Sequence, residues 1–209
     1  MARKLNSILL SGPEGPLEAL LEEPDSHDKI DRAAVICHPH PQYGGTMHNK
    51  VVYRMARSAR SAAAAVLRFN FRGVGRSAGT YDGGRGEQDD LRAAMRYMLD
   101  RYPGKPIAIG GFSFGSRVSL RVCCGEPGVD RILAVGTPVN THDWSFLSQC
   151  GCPKAFIHST NDEFGSRAAM ERVFEFAAGP KTLTWIDAQD HFFANRLDAL
   201  EDTLRAAWR

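Results

Sequence analysis

The stretch Ile107-Ala108-Ile109-Gly110-Gly111-Phe112-Ser113-Phe114-Gly115-Ser116-Arg117 decides the fold. An apolar run ends in two glycines, and one serine follows between two phenylalanines, with a glycine beyond each. Gly111-Phe112-Ser113-Phe114-Gly115 is a Gly-x-Ser-x-Gly pentapeptide placed where a strand becomes a helix. A serine in such a turn is held in a strained backbone conformation that lifts its oxygen above a sheet. Strand and helix nearly touch two residues either side of it, which explains Gly111 and Gly115. The helix that follows aims unpaired N–H groups at the same spot and favours negative charge there. The loop is no phosphate cradle: it matches neither Gly-x-Gly-x-x-Gly nor a Gly-Lys-Ser/Thr ending, and the Gly73/Gly75 loop lacks a third glycine at the needed spacing.

Outward from that turn, short apolar runs alternate with amphipathic stretches. Residues 5–10 and 17–22 read as a hairpin across Ser11-Gly12-Pro13-Glu14-Gly15. Strands are expected at 33–37, 65–69, 106–110, 131–136, 154–158 and 182–186. Helices are expected at 47–61, 87–101, 114–124, 166–177 and 193–208. In the second of these Leu91, Met95, Met98 and Leu99 share one side. The alternation implies an α/β fold, a mostly parallel sheet with helices on both faces. Reactive groups in such sheets gather beyond the carboxyl ends of the strands, in the loops starting near residues 38, 71, 111, 137, 159 and 187.

A serine hydroxyl needs a base to be a nucleophile. Of seven histidines, His191 lies just past the last strand, in Asp187-Ala188-Gln189-Asp190-His191-Phe192-Phe193. A base needs a carboxylate to hold its tautomer, and Asp162 lies in the loop after the preceding strand. The order Ser113, Asp162, His191 is the one expected of a sheet-top triad. Among rival acids, Glu163 is expected to point away, Asp143 follows an earlier strand, and Asp187 and Asp190 share the histidine's own loop, Asp190 as a surface carboxylate. His158 reads as a satisfied structural histidine, and His27 and His142 as surface residues.

A tetrahedral intermediate also needs donors for its oxyanion. The backbone N–H of Phe114 is one candidate, and that of His40 in Cys37-His38-Pro39-His40-Pro41-Gln42-Tyr43 the other, with Gln42 and Tyr43 in reserve. His38, His40 and His48 read as rigid loop and pocket wall; no carboxylate or cysteine completes a metal ligand set with them. No metal and no cofactor is called for.

Bulk composition agrees. A chain of 209 residues suits one domain, spanning 1–209. Hydrophobic content of 43%, charged content of 24% and a net charge of +2 are ordinary for a soluble protein. No basic tract speaks for nucleic acid, and no run approaches the roughly 18 apolar residues of a membrane span. Five cysteines, an odd count with no disulfide-like spacing and no signal peptide, point to the cytoplasm. Cys37, Cys123 and Cys124 read as small core residues, and Cys150-Gly-Cys152 lacks a second ligand pair for zinc.

These features resemble the α/β-hydrolase superfamily, and within it the small lidless bacterial branch near dienelactone-hydrolase-like and esterase-like proteins. The resemblance rests on residues 37–52, Arg68-Phe-Asn-Phe-Arg-Gly-Val-Gly-Arg-Ser77, Gly86-Glu-Gln-Asp-Asp90, the serine pentapeptide, and the loops of Asp162 and His191. It implies an eight-stranded sheet with the second strand antiparallel, and a triad of Ser113, His191 and Asp162. Ser113 stands where dienelactone hydrolase proper has cysteine. Residues 137–153, too short for a lid domain, leave room for a small helix around Trp144 to Leu147. Phe112, Phe114, Tyr43, Phe164, Phe192 and Phe193 are candidates to line an apolar pocket.

The expectation is a serine hydrolase of small-molecule esters or thioesters. Peptidase or perhydrolase chemistry on the same triad, and a non-catalytic ligand-binding protein of this fold, remain open. An exposed edge strand also leaves a homodimer open; neither nucleic acid nor membrane is expected as a partner.

Overall fold

The computed structural model describes residues 3–24, 30–62 and 64–208. His27 lies outside them. The chain opens with β1 (Arg3–Gly12) and β2 (Gly15–Pro24), then β3 (Arg32–Cys37), α1 (Lys50–Ser61), β4 (Ala64–Phe69), α2 (Gly86–Arg101), β5 (Ile107–Phe112) and α3 (Phe114–Cys123). It continues through β6 (Val129–Val135), a 3-10 turn (Ser145–Gln149), β7 (Lys154–Ser159), α4 (Arg167–Phe176), β8 (Lys181–Ile186) and α5 (Leu197–Trp208). The strands form one eight-stranded sheet, ordered β1-β2-β4-β3-β5-β6-β7-β8. β2 runs antiparallel to both neighbours, and β3 to β8 are parallel.

Alternation along each strand builds two cores. Ala33, Val35 and Cys37 face one side with residues of α2, α3 and α4, whereas Ala34 and Ile36 face the other with α1 and α5. Because β3 to β8 are parallel, they end at one edge, and six loops leave from there. That edge holds every candidate group.

Differences from the expected elements have local causes. α1 begins at Lys50 rather than 47 because the Asn49 side chain accepts from the Val51 N–H at 2.9 Å and caps the helix there. α5 begins at Leu197 rather than 193, after Phe193 and Asn195 adopt φ of 56° and 59°. Leu99 is 44% exposed, off the buried stripe of Leu91, Met95 and Met98. Phe112 and Phe193 are fully buried core residues, so neither presents a pocket wall.

The cysteine reading is corrected. Cys124, at the end of α3, forms a disulfide with Cys150, at the end of the 3-10 turn. Their separation of 26 residues concealed a proximity set by the adjacency of β6 and β7, whose starts they precede. Cys37 and Cys123 are free and buried. The disulfide withdraws the cysteine argument for a reducing compartment. None of the described helices is long and apolar enough to cross a membrane.

Candidate active site

Ser113 caps α3 with φ 56° and ψ −119°, left-handed backbone that a residue with a Cβ adopts only under constraint. The constraint is visible on both sides. The Ser113 N–H donates to the Val135 carbonyl at 2.9 Å, and the Ser113 carbonyl accepts from Ser116 and Arg117. A Cβ at Gly111 would strike the Gly115 backbone, and one at Gly115 would strike the carbonyls of Cys37 and His38. Both glycines are therefore required by contact between strand and helix.

Asp162 and His191 are brought together. His191 Nδ1 lies 2.7 Å from Asp162 Oδ2. The carboxylate only accepts, so Nδ1 carries the proton and Nε2 holds a lone pair. The other Asp162 oxygen accepts from the N–H groups of Phe164 at 2.9 Å and Gly165 at 3.1 Å. Both side chains are almost fully buried. His191 Nε2 is buried and has no hydrogen-bond partner among the described residues.

The imidazole packs against the ground next to Ser113. It stacks on Phe112, the preceding residue, at 4.9 Å between centroids. A Cβ at Gly136, φ 54°, would come within 2.9 Å of Phe112 and 3.0 Å of the His191 ring. Gly136 directly follows Val135, which receives the Ser113 N–H. The Ser113 hydroxyl itself makes no hydrogen bond with Asp162 or His191; hydrogen bonds of this kind commonly tighten only when substrate binds.

Of three residues at the site, the sequence reading does not single out Gly136 and gives Glu163 and His158 other roles. Glu163 turns toward the site, its Oε2 accepting the His191 backbone N–H at 3.1 Å. His158 is not satisfied. Its Nε2 donates to the Gly165 carbonyl at 2.7 Å and lies 3.4 Å from Asp162 Oδ2, and its buried Nδ1 has no partner among the described residues. Burial holds His158 below the ordinary histidine range, against the pull of Asp162. Gly136 leaves room for the imidazole. The signal for Gly136 was a glycine straight after an apolar strand; pattern held none for the other two. Asp190 accepts from the N–H groups of Phe192 and Ala194 and shapes the turn holding His191, rather than standing free at the surface. Asp143 accepts from the Ser145 N–H at 2.9 Å, and Asp187 from the Thr160 hydroxyl at 3.2 Å.

Neither the Phe114 N–H nor the His40 N–H donates to another described group. The two reserves are occupied: Tyr43 N–H donates to the His40 carbonyl and Gln42 N–H to His40 Nδ1. Phe164 and Phe192 are about half exposed and stand edge-on to the His191 ring at 4.8 and 5.3 Å. Tyr43 is 84% exposed. A cleft of about 370 Å³ opens beside Phe192, lined also by Thr46, His48, Asn49, Lys50 and Val51.

His38 is a buried brace rather than a pocket wall. Its Nε2 accepts from the Phe71 N–H at 3.0 Å, and its Nδ1 donates to the Pro39 carbonyl at 2.6 Å. Burial pulls its pKa down to about 4. An unfolded chain, with histidine near 6.5, binds more protons between those values, so stability is present above about pH 6.5 and lost as pH falls toward 4. His38 alone is expected to remove about 3 kcal/mol over that window. Urea unfolding of wild type and His38→Gln at pH 7 and pH 4.5 checks this; an identical pH dependence in the two would refute it.

An α/β-hydrolase domain model matches residues 33–207. A Rickettsia prowazekii protein is 34% identical over 195 residues, 89% of this chain and 81% of its own length. The crystal structure of a lidless α/β serine hydrolase from Xanthomonas campestris is 34% identical, with a TM-score of 0.88 over 99% of this chain and 94% of that one. An α/β serine hydrolase homologue from Coxiella burnetii is 33% identical, with a TM-score of 0.90 over 97% and 96%. These likenesses extend over the edge where Ser113, Asp162 and His191 stand, and they support hydrolase chemistry in general. The chain belongs to the α/β-hydrolase domain family, in its lidless form.

Proposed function

We propose that the protein hydrolyses carboxylic esters or thioesters of small acyl groups through a triad of Ser113, His191 and Asp162. The observation that carries the reading is the His191–Asp162 contact of 2.7 Å, which leaves an Nε2 lone pair with no partner among the described residues beside a strained serine turn. His191 Nε2 takes the Ser113 hydroxyl proton as the oxygen attacks the acyl carbon. Asp162 holds the Nδ1 proton and stabilises the imidazolium. The N–H groups of Phe114 and His40 are assigned to the oxyanion, where developing negative charge also meets the amino end of α3. His191 then gives its proton to the leaving oxygen or sulfur, and water, activated by the same Nε2, releases the acyl group.

The test is to quench a p-nitrophenyl butyrate reaction with acid during turnover and map the protein by peptide mass spectrometry. A butyryl adduct on the peptide containing Ser113 is expected. Turnover with no adduct there, or no turnover by folded protein, would reject the reading.

A further inference from the structure

The groups around Ser113 differ in character. Phe164 and Phe192 form an apolar rim on the His191 side. Along α3, Arg117 brings a guanidinium that has no ion pair among the described residues. Arg117 lies on α3 one turn beyond Ser113, and its guanidinium sits over the Phe114 ring, Cζ 5.3 Å from the centroid. It donates to the Gly83 carbonyl and stands 2.9 Å from a ring nitrogen of His142. No carboxylate lies within ion-pair distance of it among the described residues. Arg54, Arg68, Arg72, Arg92 and Arg101, by contrast, all pair with carboxylates. Glu87, the acidic side chain nearby, already accepts from the N–H groups of Asp82 and Gly84 at 2.9 and 2.7 Å. Arg117 is half-buried, and burial lowers its pKa. Its charge in turn adds to the lowering that burial causes at His40 and His142.

A second donor stands close by. His40 Nδ1 accepts from the Gln42 N–H, so the proton of the neutral ring is on Nε2. That Nε2 donates to the Tyr81 hydroxyl oxygen at 3.1 Å. The hydroxyl proton of Tyr81 therefore has no acceptor among the described residues. The Tyr81 ring lies 5.9 Å from Phe114, the ring that also carries Arg117. A half-buried guanidinium without a carboxylate and a phenol with a proton to give both call for an anion.

We propose that Arg117 and Tyr81 bind a carboxylate on the acyl arm of the substrate, so that the preferred substrates are monoesters or monothioesters of short dicarboxylic acids. This rests on the hydrolase reading above. The arm follows from the proton path: His191 must protonate the leaving group, so that group faces the Phe164–Phe192 rim and the acyl chain runs the other way. Arg117 lies four positions after Ser113, roughly 6 Å of helical rise, within reach of an adipyl chain.

The test compares kcat/KM for mono-p-nitrophenyl adipate with that for its neutral methyl ester. Wild type is expected to favour the anionic substrate by about 10- to 100-fold, the range of a charged hydrogen bond. Arg117→Gln should reduce that ratio toward one, and Tyr81→Phe, which keeps the ring, should reduce it less. A wild-type ratio near one, or a ratio unchanged in both variants, overturns the proposal. If wild type hydrolyses neither ester, the hydrolase reading falls, and calorimetric titration of adipate decides the proposal separately. Binding at least tenfold tighter to wild type than to Arg117→Gln would uphold the anion site; equal or absent binding would overturn it.

Discussion

Ser113→Ala is expected to lower kcat on a short-chain ester by about 10⁴- to 10⁶-fold while the fold survives. In the proposed mechanism this hydroxyl forms the acyl-enzyme, and no neighbouring hydroxyl is placed to replace it: Ser116 Oγ, the nearest in sequence, donates to the Ser113 carbonyl at 2.6 Å and is buried. What rate survives would come from the oxyanion donors and binding alone. Alanine keeps a Cβ and so keeps the left-handed strain at φ 56°. Ser113→Gly removes that strain. Relief of about 1–3 kcal/mol, less about 0.5–1 kcal/mol for glycine's greater freedom when unfolded, leaves a net gain of about 1 kcal/mol. The melting temperature should then rise by about 2–4 °C for a chain of this size. Activity and stability thus move in opposite directions at one residue. A Ser113→Gly protein that melts lower than Ser113→Ala would contradict the strain argument.

Asp162→Asn is expected to lower kcat by about 10⁴-fold through the tautomer of His191. One oxygen of the side chain must go on accepting from the N–H groups of Phe164 and Gly165. An asparagine that keeps those two bonds turns its NH2 toward His191. Nδ1 must then accept, its proton moves to Nε2, and Nε2 can no longer take a proton from Ser113. Because the loop retains its backbone bonds, thermal unfolding should change little. A variant with near wild-type kcat, measured alongside an unchanged melting curve, would show that Asp162 does not set the tautomer.

The sheet was legible because parallel strands buried on both faces read as apolar runs, and turn residues separate them cleanly from the amphipathic helices. Chain order then sufficed to put Ser113, Asp162 and His191 at the carboxyl edge. Contacts across loops were not legible. Nothing in the spacing of Cys124 and Cys150 discloses that α3 and the 3-10 turn end side by side. Nothing at Glu163 announces that it reaches the His191 backbone, nor does the sequence mark His158 as a neighbour of Asp162. Phe192 and Phe193 illustrate the limit: adjacent and chemically identical, one is half exposed at the rim and the other fully buried in the core. The left-handed backbone at Phe193 separates them, and apolar patterning carries no information about it. Charge balance is hidden for the same reason, since the isolation of Arg117 appears only once the N–H donors that occupy Glu87 are known.

In the proposed mechanism the imidazole of residue 191 activates the hydroxyl of residue 113. That activation is tested most directly by the rate at which a fluorophosphonate modifies the protein, with the modified residue located by peptide mass spectrometry. A stoichiometric adduct on Ser113 is expected in wild type, formed about 10²- to 10⁴-fold more slowly in His191→Ala. Folded wild-type protein left unmodified at Ser113, or a His191→Ala variant modified at the wild-type rate, would contradict it.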